Sequence, residues 1–248
     1  MIRIKTASEI ESMRVSARLV SRTLDELTGH VAPGVTTLEL DRLAMEFIRK
    51  NGGTPSFLGY RGYRHTICAS VNEEVVHGIP GKRTLKEGDI ISVDVGVLMN
   101  GFHGDSARTF KVGRVSQEAE NLLAVTRESL VKGIEQVRAG NRLGDVSSSI
   151  QAHVEAQGLS IVRSLVGHGI GRDLHEDPQI PNFGQPGSGV VLKSGMVFAI
   201  EPMVNIGGYE VETLKDGWTV VSSDRSLAAH FEHTVAVTDN GPDILSLS

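Results

Sequence analysis

Apolar residues recur at helical spacing in four stretches of the chain. In the first, Ile10, Met13, Val15, Ala17, Leu19, Val20, Leu24 and Leu27 follow with mostly helical spacing. Ser8-Glu9-Ile10-Glu11 has the form of a capping box ahead of them, and Gly29 with Pro33-Gly34 ends the run. Thr37 opens a second helix, with Leu38, Leu40, Leu43, Ala44, Phe47 and Ile48 on its apolar side and Asn51-Gly52-Gly53 as its stop. A third is expected from Ser116 to about Arg138 and a fourth from Gly144 to Ala156. Strand-like runs lie between them: Thr66 to Val71, Asp89 to Met99, Val197 to Val204 and His233 to Thr238. An Asn100-Gly101 turn follows the second run, with Thr109 to Val112 as its return strand. Long helices and short strands separated by glycine turns predict an α+β fold. No linker or low-complexity segment interrupts the chain, so residues 1–248 read as a single domain.

Two parts of the sequence echo each other. His77-Gly78-Ile79 recurs as His168-Gly169-Ile170, and Lys86-Glu87-Gly88 as Lys193-Ser194-Gly195. In each part a carboxylate, Asp94 or Glu201, follows the second motif inside an apolar strand. The order of these features predicts a duplicated fold, its two carboxylate strands meeting near a pseudo-twofold axis.

Composition narrows the function classes. A net charge of −5 gives no electrostatic reason to expect nucleic acid or an anionic membrane as a partner. Cys68 is the only cysteine, so no intramolecular disulfide can form, which suits a reducing compartment and a cytoplasmic location. The first residues carry no apolar signal core.

The chemistry is concentrated in five residues. Asp94 lies in ISVDVGV and Glu201 in VFAIEPM, both apolar settings where an ionised carboxylate is costly unless paired or bound to metal. Alone, each reads better as an acid salt-bridged to an arginine inside the fold. They coincide, however, with Asp105 in GFHGDSAR, His168 in GHGIGR and Glu232 in HFEHTVAV. Four acids and one imidazole form an oxygen-rich donor set that suits Mn²⁺, Fe²⁺ or Co²⁺ better than a thiolate-type zinc site. Carboxylates can also bridge two ions about 3.5–4 Å apart.

These residues, in the blocks NEEVVHGIP, DVGVLMNGFHGDSART, GHGIGRDLHEDPQIPN and KDGWTVVSSDRSLAAHFEHT, resemble the signature of the methionine aminopeptidases. Those enzymes belong to the creatinase-like pita-bread metallopeptidases, and the likeness runs over nearly the whole chain. It implies two pseudo-symmetric halves whose antiparallel sheet is covered by helices. It implies two divalent ions (cobalt, manganese or iron), one held by Asp94, Asp105 and Glu232 and the other by Asp105, His168, Glu201 and Glu232. A hydroxide between the ions would attack the first peptide carbonyl, with Glu201 moving its proton. His175 would steady the oxyanion and His77 would assist the leaving amine. A methionine pocket is implied at Tyr60, Tyr63, Cys68, Leu174 and Trp218, with Phe57 and His77 close by. Phe57 and Leu174 depart from the cysteine and phenylalanine common at those places in bacterial members. A monovalent-cation site is implied around Asn72.

The expected substrates are the N-termini of nascent polypeptides with a small second residue, which makes the ribosome a candidate contact and leaves Met1-Ile2 of this chain uncut. The expected state is a monomer. Prolidase, aminopeptidase P and creatinase share the fold but carry a large N-terminal domain, for which Asp94 comes too early. The short spacing from His168 to Glu232 points to the type I bacterial form. A partner-binding relative without catalysis would have lost ligands, and Cys68 lacks the constellation of a cysteine nucleophile.

Overall fold

A computed structural model describes residues 1–247. Four helices, α1 (Ala7–Thr28), α2 (Thr37–Lys50), α3 (Gln117–Glu135) and α4 (Leu143–Ala156), stand close to the segments their apolar periodicity predicts. Capping explains where they start. Thr6 accepts a hydrogen bond from Glu9 N at 3.3 Å while the Glu9 carboxylate accepts one from Thr6 N at 3.0 Å. This capping box therefore lies two residues before the Ser8-Glu11 pair read from the sequence; Glu11 instead pairs with Arg14. Thr36 and Glu39 repeat the box at α2, and Ser116 caps α3. The third helix stops at Glu135, three residues short of the expected Arg138.

The first half of the sheet contains β1 (Thr54–Pro55), β2 (Ile67–Val71), β3 (Glu74–Val76), β4 (Ile90–Met99) and β5 (Phe102–Lys111). The second contains β6 (Ser160–Ile161), β7 (Val166–Gly169), β8 (Glu176–Pro181), β9 (Val197–Ile200) and β10 (Met203–Asn205). It continues with β11 (Val211–Thr213), β12 (Val220–Ser222), β13 (Ala228–His230), β14 (His233–Thr238) and β15 (Gly241–Ile244). Two strand expectations change. The return strand begins at Phe102 rather than Thr109, because β5 pairs with β4 from Met99↔Phe102 to Ile90↔Lys111. The run from Val197 to Val204 is two strands, broken at Glu201-Pro202; proline has no N–H to continue a ladder, and the chain passes from the sheet holding β9 to the one holding β10.

The fold is α+β and duplicated. β4 lies between β5 and β2, as β9 lies between β14 and β7. Helices α1 and α2 bury Val20, Leu24, Leu40 and Ile48 against Val93, Val95 and Val97 of β4. Helices α3 and α4 bury Leu122, Leu130, Val146 and Ile150 in a cluster with Phe198, Ile200 and Val235. Even isolated bridges repeat: Thr36↔Thr84 before α2 and Arg142↔Val191 before α4.

The register tests the two sequence echoes separately. Ser92 of β4 faces Ser70 and Thr109, while Ala199 of β9 faces His168 and Thr234. Asp94 and Glu201, each two residues further on, are therefore equivalent, as the lysine-glycine echo predicts. His168 corresponds to Ser70 and not to His77, so the His-Gly-Ile echo joins positions that the duplication does not relate.

A seam of polar hydrogen bonds joins the halves. Thr234 Oγ1 accepts from Asp105 N at 3.0 Å and donates to Asp105 O at 2.7 Å. Thr109 Oγ1 accepts from His230 N at 3.0 Å and donates to His230 O at 2.9 Å. Between these matching clamps, Glu232 N donates to Ala107 O at 3.0 Å and Ser106 Oγ donates to Glu232 O. On the other side of β5, α1 lies so close that a Cβ at Gly104 would stand 2.5 Å from Ala17 N. Gly104→Ala is accordingly expected to destabilise the protein by about 1–3 kcal/mol through overpacking against backbone that cannot move aside; unchanged urea unfolding would show that α1 yields there.

Candidate metal centre and methionine-sized pocket

Antiparallel register places the acids. Asp94 on β4 faces Ala107, and Asp105 lies two residues along β5 from that point, so the two carboxylates are diagonal neighbours on one face. His168 on β7 faces Ala199, and Glu201 lies two residues beyond on the same face, with His168 Nε2 3.6 Å from Glu201 Oε1. The seam brings Glu232 between these pairs. One ligand atom each from Asp105, His168 and Glu232 lies within 4.8 Å of the others. Asp94 joins this group through Asp105, and Glu201 joins it through His168.

The donor chemistry of the cluster fits divalent metal. Asp105, His168 and Glu232 are buried, whereas Asp94 and Glu201 keep a small opening onto the cleft. Asp94 Oδ1, Asp105 Oδ1 and Glu232 Oε1 are buried without any hydrogen-bond partner among the described residues. Burial raises the Asp94 carboxyl to about 7. Burial, with the neighbouring acids adding to it, raises Asp105, Glu201 and Glu232 well above the usual carboxylate range. No lysine or arginine forms an ion pair with any of the four among the described residues, so salt-bridged structural acids do not describe them. The imidazole is prepared for ligation as well. His168 Nδ1 lies 2.9 Å from Gly169 O, which assigns the proton to Nδ1 and leaves the Nε2 lone pair facing the cluster. Burial lowers its pKa to about 4.

All the pocket candidates line one cavity of about 130 Å³ whose floor is this cluster. That is below the roughly 300–1,000 Å³ of sites for drug-sized ligands and suits a single side chain. Tyr63 is fixed by donating to Ile67 O at 2.9 Å and Gly78 O at 3.3 Å, and Trp218 packs edge-on to it at 4.9 Å. Cys68 faces Asp94 in the ladder; burial pushes its thiol well above the ordinary range, which disfavours the thiolate a nucleophile needs. Phe57 fits because position 96, opposite Asp105, is glycine: a Cβ there would be 2.7 Å from the Phe57 ring. Leu174 closes the pocket nearby and is buried. A larger open groove of about 1,020 Å³ behind the seam shares only Glu232 with the five candidate ligands.

His175 belongs to an exposed residue at the cleft mouth, yet its ring is sandwiched. Tyr60 stacks on it at 5.1 Å and His168 lies 4.1 Å away on a tilt. Desolvation between these rings, with His168 and Arg61 nearby, lowers it to about 3 and keeps it neutral. His77 lies at the inner wall, edge-on to Trp218 at 6.4 Å, and burial lowers its pKa too.

Three features were not read from the sequence. Arg61 lines the pocket from a left-handed turn, its guanidinium over the Tyr60 ring at 5.3 Å. Asp41, inside α2, accepts from Thr66 N at 2.7 Å and Ile67 N at 3.0 Å and so anchors the start of β2; its signal was an acid on an otherwise apolar helix face. His230 stands beside Glu201. At the expected monovalent-cation position, the Asn72 side chain donates to Asp89 and accepts from Ile90 N, so a cation there would rely on backbone carbonyls.

Residues 11–239 match the description Metallopeptidase family M24. The chain is 57% identical to a methionine aminopeptidase of Clostridium perfringens over 100% of this chain and 99% of the relative. It is 55% identical to methionine aminopeptidase 1 of Bacillus subtilis over 99% of each. The crystal structure of methionine aminopeptidase from Thermotoga maritima superposes with a TM-score of 0.99 at 51% identity, covering both chains fully. A prolidase from Pyrococcus furiosus, at 21% identity, TM-score 0.80 and 65% coverage of its own length, shares the fold. The chain therefore belongs to metallopeptidase family M24, with the pita-bread fold, and within it to the type I methionine aminopeptidases.

Proposed function

We propose that this chain removes the N-terminal methionine from nascent proteins and peptides, preferring a small second residue, with two divalent ions at one centre. Asp94, Asp105 and Glu232 would hold one ion; Asp105, His168, Glu201 and Glu232 would hold the other. The oxygen-rich set favours manganese, iron(II) or cobalt. Bound there, such ions supply Lewis-acid polarisation and a water that ionises near neutral pH. The observation that carries this reading is that the carboxylate cluster floors an apolar cavity sized for one side chain. A module that only bound partners would gain nothing from burying four mutually repelling acids.

The residues then divide the work. Phe57, Tyr63, Cys68, Leu174 and Trp218 take the flexible thioether and exclude water. Tyr60 holds the His175 ring in place, and the neutral imidazole donates to the peptide oxygen as charge develops on it. Glu201, at the cleft beside His168, accepts the proton of the attacking water. His77 stands where it can reach the departing amide nitrogen. We also infer that residues 1–248 work as one catalytic domain, as a monomer in the cytoplasm, on chains emerging from the ribosome. The seam between the halves and the single cysteine support this. Among the described residues no helix is long and apolar enough to cross a membrane.

Purified protein with Mn²⁺ or Co²⁺ is expected to release methionine from Met-Ala or Met-Gly peptides, and Glu201→Ala or His168→Ala to lose turnover while remaining folded. Absence of release across several metals, or near-normal turnover in either variant, would overturn the assignment. His175→Ala should lower kcat by about 10²–10³-fold with metal content retained; equal loss of both would make His175 a determinant of metal binding instead.

The raised carboxyls also set a pH dependence. Their folded-state pKa values lie above the unfolded ones, so the metal-free folded protein holds extra protons. The carboxyls' contribution to stability is then fullest below about pH 4 and falls as pH rises through about 7, whereas the buried neutral His168 and His175 act in the opposite sense below about pH 6.5. Thermal unfolding of metal-free protein should therefore occur at lower temperature at about pH 8 than at about pH 7, a window above the range of unfolded histidine, and saturating Mn²⁺ should recover more at the higher pH. Equal gains at both would contradict a cluster starved of positive charge.

A further inference from the structure

The two threonine clamps of the seam hold unlike residues. Thr234 fixes both backbone groups of Asp105, and Thr109 fixes both backbone groups of His230. His230 is therefore the pseudo-twofold counterpart of a candidate ligand, anchored in the same way. Its side chain is only 2% exposed, and its Nε2 is buried without a hydrogen-bond partner among the described residues. Such an unsatisfied group costs about 1–3 kcal/mol, so a histidine that served only to fill space would be a poor choice there. The atom facing it is Glu201 Oε2, at 3.8 Å, while His168 Nε2 faces the other oxygen, Oε1, at 3.6 Å. Glu201 thus stands between two imidazoles, one on each oxygen.

We propose that His230 is a positioning residue for Glu201: its Nε2–H, closing on Oε2, fixes the carboxylate so that Oε1 is presented on the His168 side. This rests on the functional reading above and extends it to a residue outside the five-ligand set. A carboxylate free to turn could offer either oxygen or both. Held at Oε2, it offers one oxygen at a defined place, which serves both ion binding and acceptance of a proton. The requirement is for an N–H donor at the Nε2 position and not for an imidazole as such. Glutamine can place its amide nitrogen near that position, asparagine falls about one bond short, and leucine fills space with no donor.

The test compares wild type with His230→Gln, His230→Asn and His230→Leu. Each is stripped of metal and titrated with Co²⁺ alone, followed by visible absorption and calorimetry; kcat, KM and thermal unfolding are measured alongside. The asparagine and leucine variants should weaken Co²⁺ binding and lower kcat by about 10–100-fold, with KM changed less than about twofold and the glutamine variant within about threefold of wild type. Leucine behaving like wild type, or glutamine as impaired as leucine, would overturn the proposal. If the leucine variant does not fold, the glutamine–asparagine contrast decides it. Wild-type protein that released no methionine with any metal would defeat the functional reading, while the Co²⁺ titrations would still decide the role of His230.

Discussion

Four carboxylates meeting in the protein interior are the constraint on which this structure turns. Two like charges about 4–5 Å apart repel by about 3–4 kcal/mol at the effective dielectric suited to such sites. Asp105, Glu232 and their neighbours meet at that range, and no lysine or arginine is paired with them among the described residues. Such a cluster can remain as protons on raised carboxyls or as ligands of cations. The orphaned oxygens of Asp94, Asp105 and Glu232 and the lone pair on His168 Nε2 are the marks of the second arrangement.

The duplicated scaffold explains how so costly a cluster is assembled. Each half is a helix pair on a sheet, stable through ordinary apolar burial away from the site. The acids collect where the halves abut, and the seam is polar because its backbone groups must be satisfied there. Symmetry makes Asp94 and Glu201 equivalent, but it also pairs Asp105 with His230 and Glu232 with Ala107 across the seam. One scaffold thus yields an asymmetric set of donors: a ladder fixes the backbone position, and the residue at each position decides what it offers.

The pocket depends on compensation between positions. Phe57 brings bulk that Gly96 makes room for, and Leu174 closes the pocket nearby as a buried aliphatic wall. His175 is held by stacking between Tyr60 and His168 rather than by burial, so the aromatic wall of the pocket and the candidate oxyanion donor are set by the same contacts.

Much of this is legible in the sequence. Helical periodicity located all four helices, and apolar runs located β2, β4 and β14, because local spacing governs both. The isolated acids in ISVDVGV and VFAIEPM announced the centre, since burying charge in an apolar strand demands a reason. The His-Gly-Ile echo misled because three residues in sequence carry no register; only the ladders showed that His168 answers to Ser70. Likewise β5 reads as polar over GFHGDSAR, since one face meets the acids while the other, at Gly104, admits a helix backbone. The sequence alone determined the element types and the chemistry of the five donors. Tertiary structure alone decided which oxygens are left unsatisfied, that Gly96 accommodates Phe57, and that His230 faces Glu201, because these depend on contacts between segments more than a hundred residues apart or on different strands, where sequence spacing carries no distance.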